Sequence, residues 1–230
     1  MIAPRISSAI ALERSAETGF ELSDISLGLT RFICQTFNRH AGITQDSGKG
    51  SDSFRNGIAM ITSAYCLQMA HYNHWQNTEM TAALEGLSEG ERVLDRGAFF
   101  GSIQHTANHL LWGDLTWLSR FDGGAGPEVT LQDSGSAARD FEDWRQQRVA
   151  LDQRFVAWAK TVQNVDLEGD FEWYSVAMQR QFKLPKALCI MQMFNHQTHH
   201  RGQIHAMVTA AGGAGWTTDL PFMPEAFTES

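Results

Sequence analysis

Three histidines fall within the segment Phe194-Asn-His-Gln-Thr-His-His-Arg-Gly-Gln-Ile204: His196, His199 and His200, with His205 close behind. His196 and His200 are four apart. On an α-helix that spacing is ~40° of rotation and one turn of rise, so both imidazoles point the same way. Two neutral imidazoles so placed can grip one divalent metal, and a metal site needs at least one further ligand. A second pair with the same spacing, His105 and His109, lies upstream together with Asp114. On spacing alone, either member of that pair can complete a set of three nitrogens that leaves open positions for water or substrate.

Two other metal chemistries lack the residues they need. A zinc peptidase with HExxH uses the Glu as general base. Here Gln197 follows His196, and an amide cannot take a proton. A di-iron bundle needs carboxylates from several helices and ExxH pairs. The segment 186–211 contains no Asp or Glu, and the chain contains no ExxH. The pattern that remains is a mononuclear, imidazole-rich site. His199 and His205 lie off the His196/His200 line and are expected beside the site or in solvent. His71 and His74 are expected at the surface.

The 230 residues suffice for one domain with a real core, or one domain with an appendage. The net charge of −8 comes with no basic cluster, which argues against nucleic-acid binding. Cys34, Cys66 and Cys189 are scattered and odd in number, so the expectation is inert thiols in a reducing cytoplasm rather than a disulfide framework. No stretch is apolar for long enough to span a bilayer, and no signal peptide is read.

The elements that must position these side chains read as four long helices from residue 62 onward. The first spans about 63–84, with Tyr65, Met69, Tyr72, Trp75 and Met80 near helical spacing. The second spans about 99–121 and is stopped by Asp122-Gly-Gly-Ala-Gly-Pro127. The third spans about 137–162, with Ser134 or Ser136 as its cap and Asp140 in its first turn. Residues 166–184 are short and partly alternating, which predicts a small β-hairpin or extended excursion. Pro185 suits the first turn of the fourth helix, 186–211, which Gly212-Gly213 ends. Trp75 and Trp117 are expected as core anchors, and residues 216–230 as a loop over the end of the helices. This is an all-α, four-helix bundle with one irregular insertion. Residues 1–59 read as a poorly ordered N-terminal extension ending in the polar run 45–53, with a short helix at 27–37. The domain proper runs over 60–230. Met60 reads as a natural domain start, so residues 1–59 are either a real extension or the product of a misassigned upstream start.

At these residues the chain resembles the DinB family, also called DinB/YfiT-like metalloenzymes. Met69-Ala-His-Tyr-Asn-His-Trp-Gln-Asn77 is similar to the family's helix-one segment. The run from Asp95 to Trp117 is similar to its helix-two segment, in which the ligand is the His between Asn and an apolar pair; that maps onto His109 and not His105. Phe194 to Gln203 matches the helix-four motif, whose ligands map onto His196 and His200. Thr218-Asp-Leu-Pro-Phe-Met223 is similar to the C-terminal loop. The resemblance covers about 60–224. It implies an up-down-down-up bundle, a divalent ion, commonly zinc or nickel, on three histidines, and a homodimer. Some relatives are S-transferases or isomerases that use a low-molecular-weight thiol. The family name refers to DNA-damage-inducible expression, which is regulation and not DNA contact.

The expected function is therefore a divalent-metal-dependent enzyme acting on a small molecule, of the thiol-dependent S-transferase or isomerase type. His109, His196 and His200 are the expected ligands. Asp114, Arg201 and Gln203 are the expected catalytic or orienting residues, with Asn108 beside them. The alternatives are metal-assisted hydrolysis with Asp114 as base, and a non-catalytic stress-linked bundle in which the metal only stabilises the fold.

Overall fold

The structure is a computed structural model, and it describes residues 60–176 and 179–228. The N-terminal extension, its short helix at 27–37, its polar run and Cys34 lie outside the described residues. Helix α1 (Ser63–Glu85) begins at Thr62, whose Oγ1 accepts the Tyr65 amide at 3.1 Å. A one-turn helix, α2 (Glu89–Val93), follows, capped by Ser88; the sequence reading did not anticipate it. Helix α3 (Ile103–Asp122) begins later than 99, because Ala98 and Gly101 bridge in a tight turn with Gly101 at φ 75° and Ser102 then caps the helix. It stops at Gly123, in the left-handed region at φ 71°.

Helix α4 (Phe141–Thr161) is capped by Asp140, whose carboxylate accepts the Asp143 amide at 2.8 Å. The expected cap at Ser134 or Ser136 is therefore corrected: those residues form a separate 3₁₀ turn. Strands β1 (Asp170–Ser175) and β2 (Arg180–Pro185) pair antiparallel, with Trp173 opposite Phe182 and Phe171 opposite Leu184. Helix α5 (Lys186–Ala210) starts directly after Pro185 and ends before Gly212 at φ 81°. The described chain is thus mostly helical with one two-stranded sheet. No described helix is long and apolar enough to cross a membrane.

Packing between the long helices is visible residue by residue. Trp144 of α4 donates its indole N–H to Ala107 O of α3 at 3.0 Å, and the Phe121 and Trp158 rings stack at 6.0 Å further along the same two helices. Asn77 of α1 donates to Asp152 of α4 at 2.7 Å. Tyr65 of α1 meets Phe194 of α5 edge to face at 5.9 Å. Trp144, Phe155, Phe194, Ile103, Leu110, Leu111 and Leu118 are buried in the core. Trp75 is buried as expected, whereas Trp117 is half-buried and packs on Trp173 of the hairpin at 5.8 Å. Cys66 and Cys189 are buried, and burial pushes each thiol up to about 11, consistent with inert groups. His71 and His74 depart from expectation: His71 is buried and His74 half-buried against Phe227 at 5.3 Å. The tail covers the flank of α1 there, which leaves that helix little free face.

A polar layer crosses this core. Arg148 is fully buried and pairs with Asp114 at 2.6 Å and Asp152 at 2.7 Å. Asn73 of α1 donates to the Gln197 carbonyl of α5. Each of the four long helices contributes to this layer, and a shift of any helix would leave buried polar groups without partners. Replacing Arg148 with Met removes the ion-pair partner of two buried carboxylates. The expected cost is about 3–5 kcal/mol in equilibrium urea unfolding; a loss below about 1 kcal/mol would mean the pair behaves like a solvated one.

Candidate metal centre

Gly113 of α3 faces His196 of α5. A Cβ at Gly113 would sit 2.5 Å from His196 Cε1 and 3.0 Å from Nδ1. Only a residue without a side chain lets the ring lie against the helix backbone there. Once Gly113 is opposite His196, one turn back on α3 and one turn forward on α5 bring His109 opposite His200. The ring centroids of His109 and His200 are 4.7 Å apart, those of His196 and His200 4.4 Å, and those of His109 and His196 5.4 Å. One nitrogen from each of the three lies within 4.8 Å of the others.

Hydrogen bonds orient two of the rings. His200 Nδ1 is 2.8 Å from Gln203 Oε1, a carbonyl that can only accept, so the proton is on Nδ1 and Nε2 carries the free lone pair. His109 Nδ1 is 2.8 Å from Ser134 Oγ, which likewise leaves Nε2 as the outward atom. Asn108 holds the Ser134 turn in place, donating to Gly135 O at 3.0 Å and accepting the Ala138 amide at 3.2 Å. The His109 ring stacks with Phe100 at 4.0 Å and with Trp112 at 5.8 Å.

The residues fit a divalent ion. His196 Nε2 and His200 Nε2 are 3.1 Å apart, close to the separation of about 3 Å between two nitrogens that share one zinc ion. His196 Nδ1 is buried without a hydrogen-bond partner among the described residues, which leaves Nε2 as its outward atom toward the other two rings. Burial, reinforced by the neighbouring imidazoles, pulls His109 down to about 2, His200 to about 3 and His196 to about 4. All three rings are neutral at physiological pH, the state in which imidazole ligates metal.

The other expected site residues divide. Gln203 is in contact with the triad through His200. Asp114 is buried and bonded to Arg148 in the polar layer, with none of its hydrogen bonds going to the three imidazoles. Arg201 is buried in the same layer, its guanidinium 5.6 Å from the Tyr72 ring. Gln197 points into that layer toward Asn73. His105 is exposed and outside the triad; His199 is exposed, its ring 4.8 Å from His200. His205 accepts the Trp216 amide at 3.3 Å. Sequence reasoning missed Ser134, Gly113 and Phe100, because their roles depend on how a turn and two helices meet in space. Gly113 alone carried a signal, a glycine inside a strong helical pattern.

A family model described as DinB family matches residues 60–229. Among curated proteins, Protein DinB of Bacillus subtilis (strain 168) is 24% identical over 166 residues, which is 68% of this chain and 92% of that protein. No solved structure gives a significant match.

Two outcomes follow from this geometry. Gly113→Ala pushes the His196 ring away, and metal affinity measured by competition with a chelator is expected to fall about tenfold or more while far-ultraviolet circular dichroism is unchanged; unchanged affinity would show that the ring does not need this contact. The second concerns pH. Below the ordinary imidazole pKa of about 6.5 the folded triad binds fewer protons than the unfolded chain, so the metal-free protein loses stability as pH falls toward 4. Asp152, which burial pushes up to about 6, acts in the opposite direction. His200→Asn is expected to make the loss between about pH 6 and 4.5 shallower by up to about 1.4 kcal/mol per pH unit in urea unfolding. An identical slope would mean His200 titrates as freely as in the unfolded chain.

Proposed function

The chain belongs to the DinB family, and from that premise we propose that His109, His196 and His200 hold one divalent ion, zinc or nickel, in a thiol-dependent S-transferase or isomerase acting on a small molecule. The observation that carries this reading is the buried, neutral triad whose free nitrogens converge while Ser134 and Gln203 occupy the other nitrogens of two rings. Bound there, the ion would supply Lewis acidity, lowering the pKa of a thiol or water in its vicinity.

This chain's own residues do the rest. Gln203 fixes the tautomer of His200, so that its Nε2 is the ligating atom, and Ser134 engages His109 Nδ1 and turns Nε2 of that ring toward the other two. Phe100 and Trp112 stack with the His109 ring, which is buried. Asp114 acts in this reading by holding Arg148, and through it the polar layer behind the triad. That engagement counts against Asp114 as the base of a hydrolase, because one oxygen is spent on Arg148 at 2.6 Å and the whole group is buried.

The helix contacts support the up-down-down-up arrangement. Ala107 meets Trp144 and Phe121 meets Trp158, so α3 and α4 run the same way. Ser63 meets Asn164 and Asn77 meets Asp152, so α1 runs against α4. Gly113 meets His196 where Phe121 and Ile190 line one cavity, so α5 runs against α3. We read residues 1–59 as an extension that precedes this domain.

Metal analysis of the natively expressed protein is expected to give about one divalent ion per chain, with His109→Ala, His196→Ala and His200→Ala each retaining less than about a tenth of it. His105→Ala and His199→Ala are expected to retain it in full. A His109→Ala protein that keeps its metal would sink the triad. A metal-loaded protein whose cobalt(II) form shows no new charge-transfer absorption with any small thiol would sink the thiol chemistry and leave the triad standing.

A further inference from the structure

Beside the triad stands an aromatic pair that the placing of His109 does not explain. The Phe100 ring lies 4.0 Å from His109 and 5.7 Å from His200, edge to face, so it borders two of the three imidazoles at once. Phe99 carries the same surface outward. Its ring meets Phe100 edge to face at 4.8 Å, the one ring contact it makes among the described residues, and it is 46% exposed. Orienting His109 accounts for a ring stacked on it. It does not account for a second phenylalanine, half in solvent, with no ring contact to any of the three histidines.

A tight turn presents both rings. The Arg96 amide donates to Gly101 O and the Gly101 amide to Ala98 O, each at 2.8 Å, and Asp95 Oδ1 accepts the Gly97 amide at 2.9 Å. Gly97 at φ 68° and Gly101 at φ 75° supply the left-handed steps on either side of the pair. The Arg96 guanidinium ties the turn back to Glu91 O of α2 at 3.0 Å. The position of the two rings is therefore set by backbone hydrogen bonds and not by their own packing. The charges that act on the three imidazoles come from one another, from His199 and from Asp114, which Arg148 already engages. No Lys or Arg is among these groups. A surface of this kind recognises apolar area, and it prefers another ring, because aromatic pairs settle offset or edge to face at centroid separations of about 4.5–7 Å.

We propose that Phe100, extended by Phe99, is the specificity wall of the triad site and selects a small molecule that carries a flat apolar group next to the atom that binds the ion. The inference deepens the metal reading and rests on it for the ion. It names the substrate class: a compound bearing a phenyl or similar ring, in preference to a charged or sugar-like one.

The test uses the full chain loaded with cobalt(II), titrated with 4-phenylimidazole and with imidazole, reading the visible cobalt bands as each probe enters the open position. The phenyl compound is expected to bind about tenfold or more tighter. Phe99→Ser is expected to cut that ratio about threefold, and Phe100→Leu, which keeps the apolar bulk and loses the flat face, about fivefold or more. A role confined to orienting His109 would weaken both probes together and leave the ratio where it was, which overturns the wall. Equal binding of the two probes to the native protein overturns it too. If Phe100→Leu does not take up cobalt, Phe99→Ser decides. The probes carry no sulfur, so a phenyl preference in a protein that binds no thiol supports the wall and rejects the thiol chemistry. If the native chain takes up no cobalt, saturation-transfer NMR of benzyl alcohol on the metal-free chain decides. A transfer that drops in Phe99→Ser supports the wall and rejects the metal reading; no transfer, or an equal one in the variant, overturns the wall.

Discussion

The contact of the His196 ring with the bare backbone of α3 at Gly113 sets the geometry on which the site depends. A glycine inside a helix costs roughly 1 kcal/mol relative to alanine. Here that cost permits a separation and a register between α3 and α5 that no other residue allows, since a Cβ would fall 2.5 Å from the ring. The register then determines the rest. Positions 109 and 113 are one turn apart on α3, and 196 and 200 one turn apart on α5. Two antiparallel helices matched at 113 and 196 are matched at 109 and 200 as well. The triad is therefore a consequence of one close approach, repeated one turn along, rather than of three separate placements.

A close approach at one point does not hold four helices in register, and the apolar core around it is tolerant of small slips. The polar layer is not. Arg148 reaches from α4 to Asp114 of α3, Asn77 reaches from α1 to Asp152 of α4, and Asn73 reaches from α1 to Gln197 of α5. Displacing any of these helices by a fraction of a turn leaves a desolvated charge or amide without its partner, at a cost of several kcal/mol for the charges. The layer lies next to the triad along α3 and α5, so the elements that carry the three histidines are the ones held most strictly. The hairpin contributes differently, laying Trp173 against Trp117 and Phe171 against Phe121 at the far end of α3.

His196 and His200 were legible in the sequence because a spacing of four on a helix is a statement about direction. His109 was not separable from His105 by spacing, since both lie in the same pattern; the family motif chose between them, and the structure leaves His105 in solvent. The long helices were legible to within a few residues at each end. The start of α4 was misread because Ser134 and Ser136 are good caps by type, whereas Asp140 is the residue whose carboxylate lies three positions before a free amide. Ser134 left its capping role for a better one, holding His109, and nothing local in the chain announces that. The polar layer was hidden for a related reason. Arg148 and Asp152 form an i, i+4 pair of opposite charge, which on a single helix reads as a solvated face. Only the position of α4 against α3 and α1 makes them core residues.

The composition of the triad has a consequence for what can sit beside it. On the metal reading, three neutral imidazoles contribute no charge to offset a divalent ion, unlike a set containing a carboxylate ligand. The described carboxylate nearest along α3 is Asp114, and its charge is already shared with Arg148. α5 carries no acidic residue, and Gln197 stands where a peptidase would carry one. In a partly desolvated site the uncompensated charge is felt strongly, so an anionic group in the open position is favoured over a neutral one. A thiolate meets that demand with the added advantage of softness toward zinc or nickel.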